Sequence, residues 1–470
     1  MSVNETMINE IIQQVLEQLD NSLHSPEKGY NGNCGIFKNM EDAIEAAAAA
    51  QKKYLTYSMQ DRARFVKAIR EATLKDETLD YISRKAVEET GMGDYSSKMI
   101  KNRLAAEKTP GTEDLVTEAM SGDDGLTLVE YSPFGVIGSI TPTTNPTETI
   151  ICNSIGMLAA GNSVVFSPHP RAREVCLYMI QTINKALAEA GAPANLVTTV
   201  EAPSIENTNI MLNHPMIRMI VATGGPGVVK TALSSGKKAI GAGAGNPPVV
   251  VDETADIEKA ARDIVAGCSL DNNLPCIAEK EVIVVESVAE KLIAKMKQSG
   301  AYEITDTDSI EQLVKMVTVE GKSPNTEFVG KSAKYILNKI GIQVGDDIKV
   351  ITMRTGEEHP FVQIELLMPI LPVVTVPDVD TAIDMAVRVE HGNRHTAMMH
   401  SRNVDKLTKM AKLIQTTIFV KNGPSYAGIG VGGEGYTTFT IAGPTGEGLT
   451  SAKSFARRRR CVLVGGLDVR

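Results

Sequence analysis

The feature that most constrains the fold is an alternation of short apolar, β-branched runs with helical segments in the middle of the 470-residue chain. The runs lie at 135–140, 163–167, 196–200 and 217–222, and helical spacing fills 172–190, 205–213 and 227–234. Continuous apolar strands are typical of a parallel sheet covered by helices on both faces, which binds dinucleotides at its strand ends. The pattern predicts an α/β fold with a Rossmann-type cofactor domain.

The composition narrows the class of protein. At 470 residues the chain exceeds what one hydrophobic core usually supports, so two or three domains are expected. A net charge of −9 argues against broad nucleic-acid binding, and no apolar run approaches the roughly 20 residues that span a membrane. The six cysteines and seven histidines show no metal-ligand spacing, so we expect reduced thiols and no metal site. These features predict a globular, cytosolic protein.

The N-terminus predicts a separate element. Residues 1–20 place apolar side chains on one helical stripe, opposite Asn, Gln and Glu, and residues 21–35 are rich in Asn, Ser, Gly and Pro, as in flexible linkers. A short helix on a tether needs a surface that covers its apolar stripe. It either docks on its own domain or serves as a docking peptide for another protein, and the polar linker favours the second alternative.

The rest of the chain divides into three predicted units. Residues 36–245 form the cofactor domain, which begins with a helical stretch over 41–117 and an exposed strand at about 126–132. A Pro-Pro pair then opens a second α/β domain over 246–432, which holds the candidate thiol. Residues 433–470 are expected to return along the molecule and to build, with the strand at 126–132, a β extension used for oligomerisation.

One cysteine of the second domain has a distinctive setting. Cys276 follows Pro275 in a short polar loop, ahead of the β-branched run 282–285. Proline lacks a donor N–H and biases the preceding residue away from helix, so the thiol should lie at a bend that a cleft can reach. An isolated cysteine is more often an inert apolar side chain than a nucleophile, and Cys268 is the rival. Three others lie in apolar runs and are expected to pack in the interior: Cys152, Cys176 and Cys461.

Glycine-rich stretches indicate where a nucleotide would approach the backbone. Thr223, Gly224 and Gly225 follow a strand and precede a helix, where N–H groups can receive phosphate or ribose oxygens, although the G-x-G-x-x-G fingerprint is not matched. Two Gly-Lys-Ser triplets lack the glycine that a nucleoside-triphosphatase loop places five residues earlier, which sets that class aside. The small residues at 241–245 fit either a crossover between domains or the close approach of a ligand.

A series of motifs follows a recognisable order along the chain: 134–142, Asn145 with Pro146, 161–166, 223–225, 246–248, Cys276 and 365–369. This order resembles the aldehyde dehydrogenase superfamily over residues 35–464. Four segments are similar, more narrowly, to its CoA-acylating branch: 241–248, 272–280, 421–428 and 438–448. Within that branch the chain most resembles the propionaldehyde dehydrogenases of propanediol-utilising bacterial microcompartments. The resemblance implies an aldehyde dehydrogenase-like fold, with a cofactor domain, a catalytic domain and a β extension.

The resemblance also implies roles for individual residues. Cys276 would attack an aldehyde carbonyl as a thiolate, and the Asn145 amide with the backbone N–H of Cys276 would stabilise the oxyanion. Hydride would pass to a nicotinamide and leave a thioester on the cysteine. The alternatives are a turn former for Asn145 and a solvated surface acid for Glu365. The implied cofactor-binding residues are Thr141, Pro142, Thr143, Ser167, His169, Thr223, Gly224, Gly225, Gly243, Glu365 and Leu367.

Two departures from the superfamily pattern are informative. Hydrolytic members carry a glutamate that activates water, but Ala242 stands at that position here, so the thioester should persist until another nucleophile, by resemblance the thiol of CoA, arrives. The family's Lys-Pro-Ser-Glu turn is replaced by Ser-Pro-His-Pro at 167–170, which removes the lysine and the acid that meet the ribose. We expect NAD because the microcompartment relatives recycle it, and NADP stays open. His169 is either a ribose contact or a solvent-exposed turn histidine.

The resulting prediction is a CoA-acylating aldehyde dehydrogenase that converts propionaldehyde, CoA and NAD into propionyl-CoA and NADH, inside a microcompartment of the bacterial cytoplasm. By resemblance, residues 1–20 would be an encapsulation peptide that binds a shell protein, and the β extension would build a homodimer or homotetramer. The alternatives are a member of the branch that prefers acetaldehyde or lactaldehyde, one that reduces acyl-CoA, and an inactive cargo scaffold. Four histidines without metal-ligand spacing are assigned to surfaces or loops: His359, His391, His395 and His400.

Overall fold

The structure, a computed structural model, describes residues 34–467. Its framework consists of two parallel sheets covered by helices and a three-stranded antiparallel sheet. The predicted helix at 1–20 and all but the last two residues of the predicted linker at 21–35 lie outside the described residues. Within residues 34–467, no helix combines the length and the apolar character needed to cross a bilayer.

The elements follow one another as short strands and mostly longer helices. The strands are β1 (Ile36–Phe37), β2 (Glu118–Gly122), β3 (Gly125–Pro133), β4 (Val136–Ile140), β5 (Ser163–Ser167), β6 (Val197–Val200), β7 (Ile217–Thr223), β8 (Lys238–Ala242), β9 (Pro248–Val251), β10 (Glu281–Val285), β11 (Ala301–Glu303), β12 (Thr318–Val319), β13 (Ser323–Pro324), β14 (Val350–Arg354), β15 (Ile370–Val376), β16 (Thr396–His400), β17 (Ile418–Lys421), β18 (Ile441–Ala442), β19 (Gly448–Leu449) and β20 (Ala456–Val464). The α-helices are α1 (Met40–Tyr54), α2 (Met59–Leu74), α3 (Asp76–Thr90), α4 (Tyr95–Lys108), α5 (Pro146–Ala159), α6 (Arg173–Glu189), α7 (Ile205–Asn213), α8 (Pro226–Leu233), α9 (Ile257–Ser269), α10 (Glu286–Gln298), α11 (Thr307–Val317), α12 (Ala333–Lys339), α13 (Pro360–Gln363), α14 (Val379–Val389) and α15 (Val404–Ile414).

The first sheet is built from the predicted apolar runs. Its strands are parallel, in the order β1-β6-β5-β4-β7-β8. Side chains alternate between the two faces, so Val164 and Phe166 join the core formed with α5 and α6, whereas Val165 joins the core formed with α1 and α7. Burial on both faces explains why these strands read as continuous apolar runs, and the predicted parallel α/β sheet is confirmed.

The second sheet contains seven parallel strands in the order β11-β14-β15-β10-β9-β16-β17. The run 282–285 forms most of β10 and is buried between β9 and β15. The loop that carries Cys276 leads directly into this strand. A central, fully buried strand therefore fixes the position of one end of the thiol loop.

The third sheet joins distant parts of the chain. Strand β20 pairs antiparallel with β3 from Ala456 opposite Pro133 to Val464 opposite Gly125, and β2 pairs with the other edge of β3. From its second residue onward β20 is exposed. The prediction that Cys461 packs in the interior is wrong, because this sheet leaves β20 open to solvent in the single chain.

Candidate active site

A cleft of about 300 Å³ is lined by loops of both parallel sheets. The carboxyl ends of β4, β7 and β8 lie at the same edge of the first sheet, where parallel strands commonly build ligand sites. All predicted site residues except Ser167 line the cleft: Thr141, Pro142, Thr143, Asn145, His169, Thr223, Gly224, Gly225, Gly243, Cys276, Glu365 and Leu367. The remaining lining residues are Thr144, Ala242, Ala244, Leu274, Phe439 and Ile441.

Cys276 lies in a turn whose shape comes from the residues before it. Asp271, Asn272 and Asn273 are all left-handed, with φ values of 51°, 54° and 67°. Aspartate and asparagine tolerate this conformation better than most side chains. Leu274 stays in the right-handed helical region despite the proline that follows it, so the expected bias at this residue is not followed. The N–H of Ala278 then donates to the carbonyl of Pro275 at 3.0 Å and closes the predicted bend around the thiol.

The thiol of Cys276 is only partly exposed, at the wall of the cleft. Burial raises its pKa to about 12, and the nearby Glu365 carboxylate raises the pKa further, while the Lys280 ammonium opposes the shift. The group is therefore a protonated thiol at neutral pH in this environment. The rival Cys268 is fully buried in the core, where Asn273 Nδ2 lies 3.3 Å from its sulfur, so a substrate has no access to it.

Asn145 presents its side chain to the cleft from the N-cap position of α5. Pro146 occupies the first helical position, and the Asn145 side chain makes no capping hydrogen bond. Instead, Asn145 Oδ1 accepts a hydrogen bond from Lys101 Nζ at 2.6 Å, and Nδ2 lies 3.3 Å from Thr144 Oγ1. The alternative role as a turn former does not account for this side-chain orientation.

The floor of the cleft is made of backbone and small side chains. Gly224 N donates to Ala242 O at 3.1 Å, which joins the ends of β7 and β8, and Gly225 caps α8. Carbon atoms added at Gly225 or Gly243 would meet no other group within 4 Å, so a flat ring or a sugar can approach the backbone there. The open floor fits the dinucleotide-binding geometry that the glycine-rich segment predicts.

Ser167 ends β5, and His169 lies two residues later in the turn that follows. The Ser167 hydroxyl is 2.8 Å from Thr208 Oγ1 and belongs to the packing between β5 and α7. His169 lines the cleft, and its Nδ1 accepts a hydrogen bond from Arg171 N at 3.1 Å. His169 is exposed, but partial desolvation and the nearby Arg171 guanidinium lower its pKa, so its ring is neutral at neutral pH. Of this pair, the structure therefore brings only His169 to the cleft.

Glu365 lies in the cleft wall, so the alternative of a solvated surface acid does not describe it. Its Oε1 accepts a hydrogen bond from Gly245 N at 3.1 Å, and burial raises the pKa of its carboxyl group. Leu367, two residues later, has a φ of 56° and its carbonyl accepts a hydrogen bond from Gly330 N at 2.9 Å. These contacts tie the segment after α13 to the segment 241–245 and to the loop at Gly330.

The segment 241–245, whose Gly245 is hydrogen-bonded to Glu365, carries no ionisable side chain. Ala242 ends β8 and lines the cleft, followed by Gly243 and Ala244. The position at which hydrolytic relatives are expected to carry a base therefore presents a methyl group to the cleft. Water near the thiol has no general base on this segment.

The sequence analysis missed a buried group of charges behind the cleft: Lys98, Lys101, Glu148 and Asp271. The lysines occupy the inward face of α4, together with Leu104 and Ala105. Their spacing relative to those apolar residues was the available signal, because a lysine three or seven residues from a buried position on a helix shares its face.

One of the histidine predictions is wrong, because His400 is the last residue of β16 and is almost fully buried. His395 lies in the loop just before β16, as predicted, but it is almost fully buried as well. Burial lowers the pKa of each to about 4, and the ammonium groups of Lys280 and Lys259, respectively, add to the shift. Within residues 34–467, no group of three or more His, Cys, Asp or Glu side chains is placed to hold a metal ion.

Comparison with known proteins identifies the family and the fold. Residues 35–443 match the aldehyde dehydrogenase family. The chain is 50% identical over 467 residues to the CoA-propanoylating propanal dehydrogenase of Salmonella typhimurium, covering 99% of each chain.

Solved structures agree with this match. The propionaldehyde dehydrogenase of Rhodopseudomonas palustris, crystallised with bound propionyl-CoA, is 69% identical with a TM-score of 0.92, covering 93% of this chain and 96% of the other. A propionaldehyde dehydrogenase from the fucose-utilisation microcompartment of Clostridium phytofermentans is 53% identical with a TM-score of 0.91, covering 93% and 100%. The resemblance and the fold class inferred from the motifs are confirmed. This chain belongs to the aldehyde dehydrogenase family.

Proposed function

We propose that this protein oxidises propionaldehyde with NAD and transfers the propionyl group from Cys276 to CoA, releasing propionyl-CoA and NADH. One observation carries the proposal: Cys276 and Asn145 face the same cleft, and the segment from 241 to 245 beside them has no base for hydrolysis. The relatives named for propanal or propionaldehyde support the choice of aldehyde and of CoA as acceptor.

In the first step, the thiolate of Cys276 attacks the aldehyde carbonyl. The Asn145 amide and the backbone N–H of Cys276 stabilise the resulting oxyanion, and one such donor contributes about 3 kcal/mol in comparable sites. Bound NAD supplies the hydride acceptor. The thiol needs help to ionise because burial raises its pKa, and a positively charged ring beside it favours the thiolate.

The residues present fit a dinucleotide. The open backbone at Gly225 and Gly243 accepts a flat ring or sugar, Thr223 and Gly224 lie at the end of β7, and the Glu365 carboxylate can accept hydrogen bonds from a ribose. Thr141, Pro142, Thr143, His169 and Leu367 complete the cleft. Ser167 contributes indirectly, through packing against α7.

In the second step, the thioester on Cys276 reacts with the thiol of CoA. A thioester keeps the acyl group activated, so transfer to the CoA thiol is nearly balanced in free energy and runs in both directions. The methyl group of Ala242 gives water no base, which favours CoA as the acceptor over hydrolysis.

Each of the three sheets has its own role in the proposed function. The first sheet, in residues 36–245, binds NAD; the second, in 246–432, carries the thiol; and residues 433–470 return to pair β20 with β3. The sheet formed by β2, β3 and β20 joins copies of the chain into a homodimer or homotetramer. The exposed apolar side chains at its end support this role: Val462, Leu463 and Val464.

Residues 1–20 serve as an encapsulation peptide that binds a shell protein and places the enzyme inside a microcompartment of the bacterial cytoplasm. The amphipathic pattern of this segment and the microcompartment origin of the Clostridium phytofermentans relative support the assignment.

The test is NADH production from propanal and NAD by the purified protein, with and without CoA. Turnover that requires CoA and disappears in Cys276→Ser supports thioester transfer, and Cys461→Ser, at an exposed cysteine far from the cleft, is the matched control. Equal turnover without CoA would mean that water cleaves the thioester. A protein starting at Gly35 keeps turnover but loses encapsulation, whereas a scaffold without activity shows no turnover in either form.

A further inference from the structure

A four-charge group, consisting of Lys98, Lys101, Glu148 and Asp271, connects the two sides of the proposed oxyanion site. The lysines come from α4, Glu148 from the first turn of α5, and Asp271 from the loop that precedes Cys276. All four are at most 1% exposed. Asp271 Oδ2 lies 2.9 Å from Lys98 Nζ and 2.6 Å from Lys101 Nζ, and Glu148 Oε1 lies 3.0 Å from Lys101 Nζ.

This group balances two positive and two negative charges in a region without solvent. Burying an unpaired charge is costly, so such groups persist only when the geometry and hydrogen bonds compensate for lost hydration. Burial acts to lower the pKa of Lys101, but the carboxylates of Asp271 and Glu148 outweigh burial and raise it. Lys101 is therefore an ammonium at neutral pH and can only donate hydrogen bonds.

That ammonium fixes the orientation of the Asn145 amide. The Asn145 atom that lies 2.6 Å from Lys101 Nζ must be its oxygen, because an ammonium has no lone pair to accept a bond from an N–H group. With Oδ1 held in this way, the NH₂ group is the part of the amide left to donate elsewhere. Its contact with Thr144 Oγ1 is 3.3 Å long and leaves a second N–H available.

The same ammonium also contacts the thiol loop. Asp271, five residues before Cys276, accepts a hydrogen bond from Asp94 N at 2.9 Å, and Asp271 N donates to Ser97 Oγ at 3.0 Å. These bonds anchor the loop to the N-terminal end of α4. One side chain, Lys101, thus touches both the proposed amide donor and the loop that carries the proposed backbone donor.

We infer that Lys101 is a positioning residue for acyl transfer, which holds Asn145 with its NH₂ group toward the reacting carbonyl and ties that amide to the loop of Cys276. This inference rests on the proposed role of Asn145 in the reaction. Without Lys101, the amide can rotate by half a turn and direct its oxygen at the developing negative charge. The loss should then appear in kcat more than in KM, because the orientation matters when the oxyanion forms.

A double-mutant cycle separates this role from a general structural one. We expect Asn145→Ala to lower kcat by about 10²- to 10³-fold and Lys101→Met to lower it by about tenfold or more, with a small change in the KM for propanal. In the Asn145→Ala background, Lys101→Met should lower kcat by less than about threefold, since the amide that it orients is already gone.

Lys98→Met provides the matched control. Lys98 is equally buried on the same helix and pairs with the same Asp271, but it donates to the carbonyl of Thr144 and does not touch the Asn145 side chain. In the double variant of Lys98→Met and Asn145→Ala, the fold-decreases in kcat of the two single substitutions should multiply. If Lys101→Met also multiplies fully with Asn145→Ala, or if Lys98→Met shows the same non-additivity, the inference is refuted.

Folding is checked by thermal unfolding of each variant. If Lys101→Met does not fold, combining it with Glu148→Gln removes one charge of each sign and keeps the pair of Lys98 with Asp271, and the cycle is run with that double change. Wild-type kcat in Asn145→Ala alone would overturn the proposed role of Asn145. A large loss in Asn145→Ala with full additivity would overturn only the inference about Lys101.

Discussion

Replacing Gly93 with alanine should misplace the thiol loop from a distance. Gly93 precedes α4 and has a φ of 79°, in the left-handed region. A methyl group there would overlap Asp271 Oδ1 and lie 2.8 Å from Asp271 Cγ. Normal contact requires a separation of about 3.5 Å, so the carboxylate must move by about 1 Å, and with it the loop that leads to Cys276.

The expected loss has two parts. The left-handed backbone costs an alanine about 1–2 kcal/mol of folding stability. The displacement acts separately on catalysis, since a shift of about 1 Å in a reacting group can lower the rate about 10²-fold. Gly191→Ala is the matched control, because Gly191 has a φ of 82° and an added carbon there meets nothing within 4 Å. It should lose only the backbone part of the free energy of unfolding and keep its kcat.

The assay combines urea unfolding with NADH production from propanal, NAD and CoA. The contact of Gly93 with Asp271 predicts a destabilisation in Gly93→Ala at least as large as that in Gly191→Ala, and a large fall of kcat only in Gly93→Ala. A kcat in Gly93→Ala within twofold of that in Gly191→Ala would refute the reasoning, because the loop would then tolerate the displaced carboxylate.

Two further predictions concern the chemistry of the thiol. The rate at which iodoacetamide alkylates Cys276, measured by mass spectrometry of its peptide, should still rise above pH 9 in the cofactor-free protein, because burial raises the pKa of this thiol to about 12. Saturating NAD should move this rise to lower pH. A plateau near pH 8.5 without NAD would contradict the prediction. Ala242→Glu should yield NADH production that no longer requires CoA, because the new carboxylate can activate water. Ala242→Gln introduces a side chain of nearly the same volume as glutamate but without a base, so this variant should still require CoA. If both variants produced NADH without CoA, base catalysis would be excluded as the cause.

The parallel sheets could be predicted from the sequence because the pattern that identifies a buried strand lies within the strand itself. The runs that form β4, β5 and β7 are apolar on both faces, and this pattern identifies a buried parallel strand without knowledge of its neighbours. The motif around Cys276 also predicted a bend, but the reason differs. The bend depends on three left-handed residues rather than on a bias of Leu274, and no simple spacing rule encodes such a run.

The errors and omissions concern residues whose environment depends on distant partners. His400 was assigned to a surface or a loop, but it ends β16, which lies between β9 and β17, and this position buries it. The sequence analysis did not single out Lys101, because its partners, Asp271 and Glu148, come from segments far away in sequence. A lysine on the apolar face of a helix is therefore the kind of residue for which a partner search is worthwhile. The roles of individual cofactor-binding residues and the domain boundaries stay predictions.

The pairing of β20 with β3 has a consequence for biosynthesis. Arg458 of β20 forms an ion pair with Glu118 of β2, 340 positions earlier, and the Asn162 amide donates to the carbonyl of Phe455 across 293 positions. During synthesis β2 and β3 can form their local hairpin early, but one edge of β3 has no partner until β20 has been synthesised. An unpaired strand edge is a template for aggregation, so nascent chains and chains that end before Ala456 expose the same aggregation-prone edge of β3. Strand β20 thus covers this edge of β3 only late in synthesis, after the strands of both parallel sheets have been made.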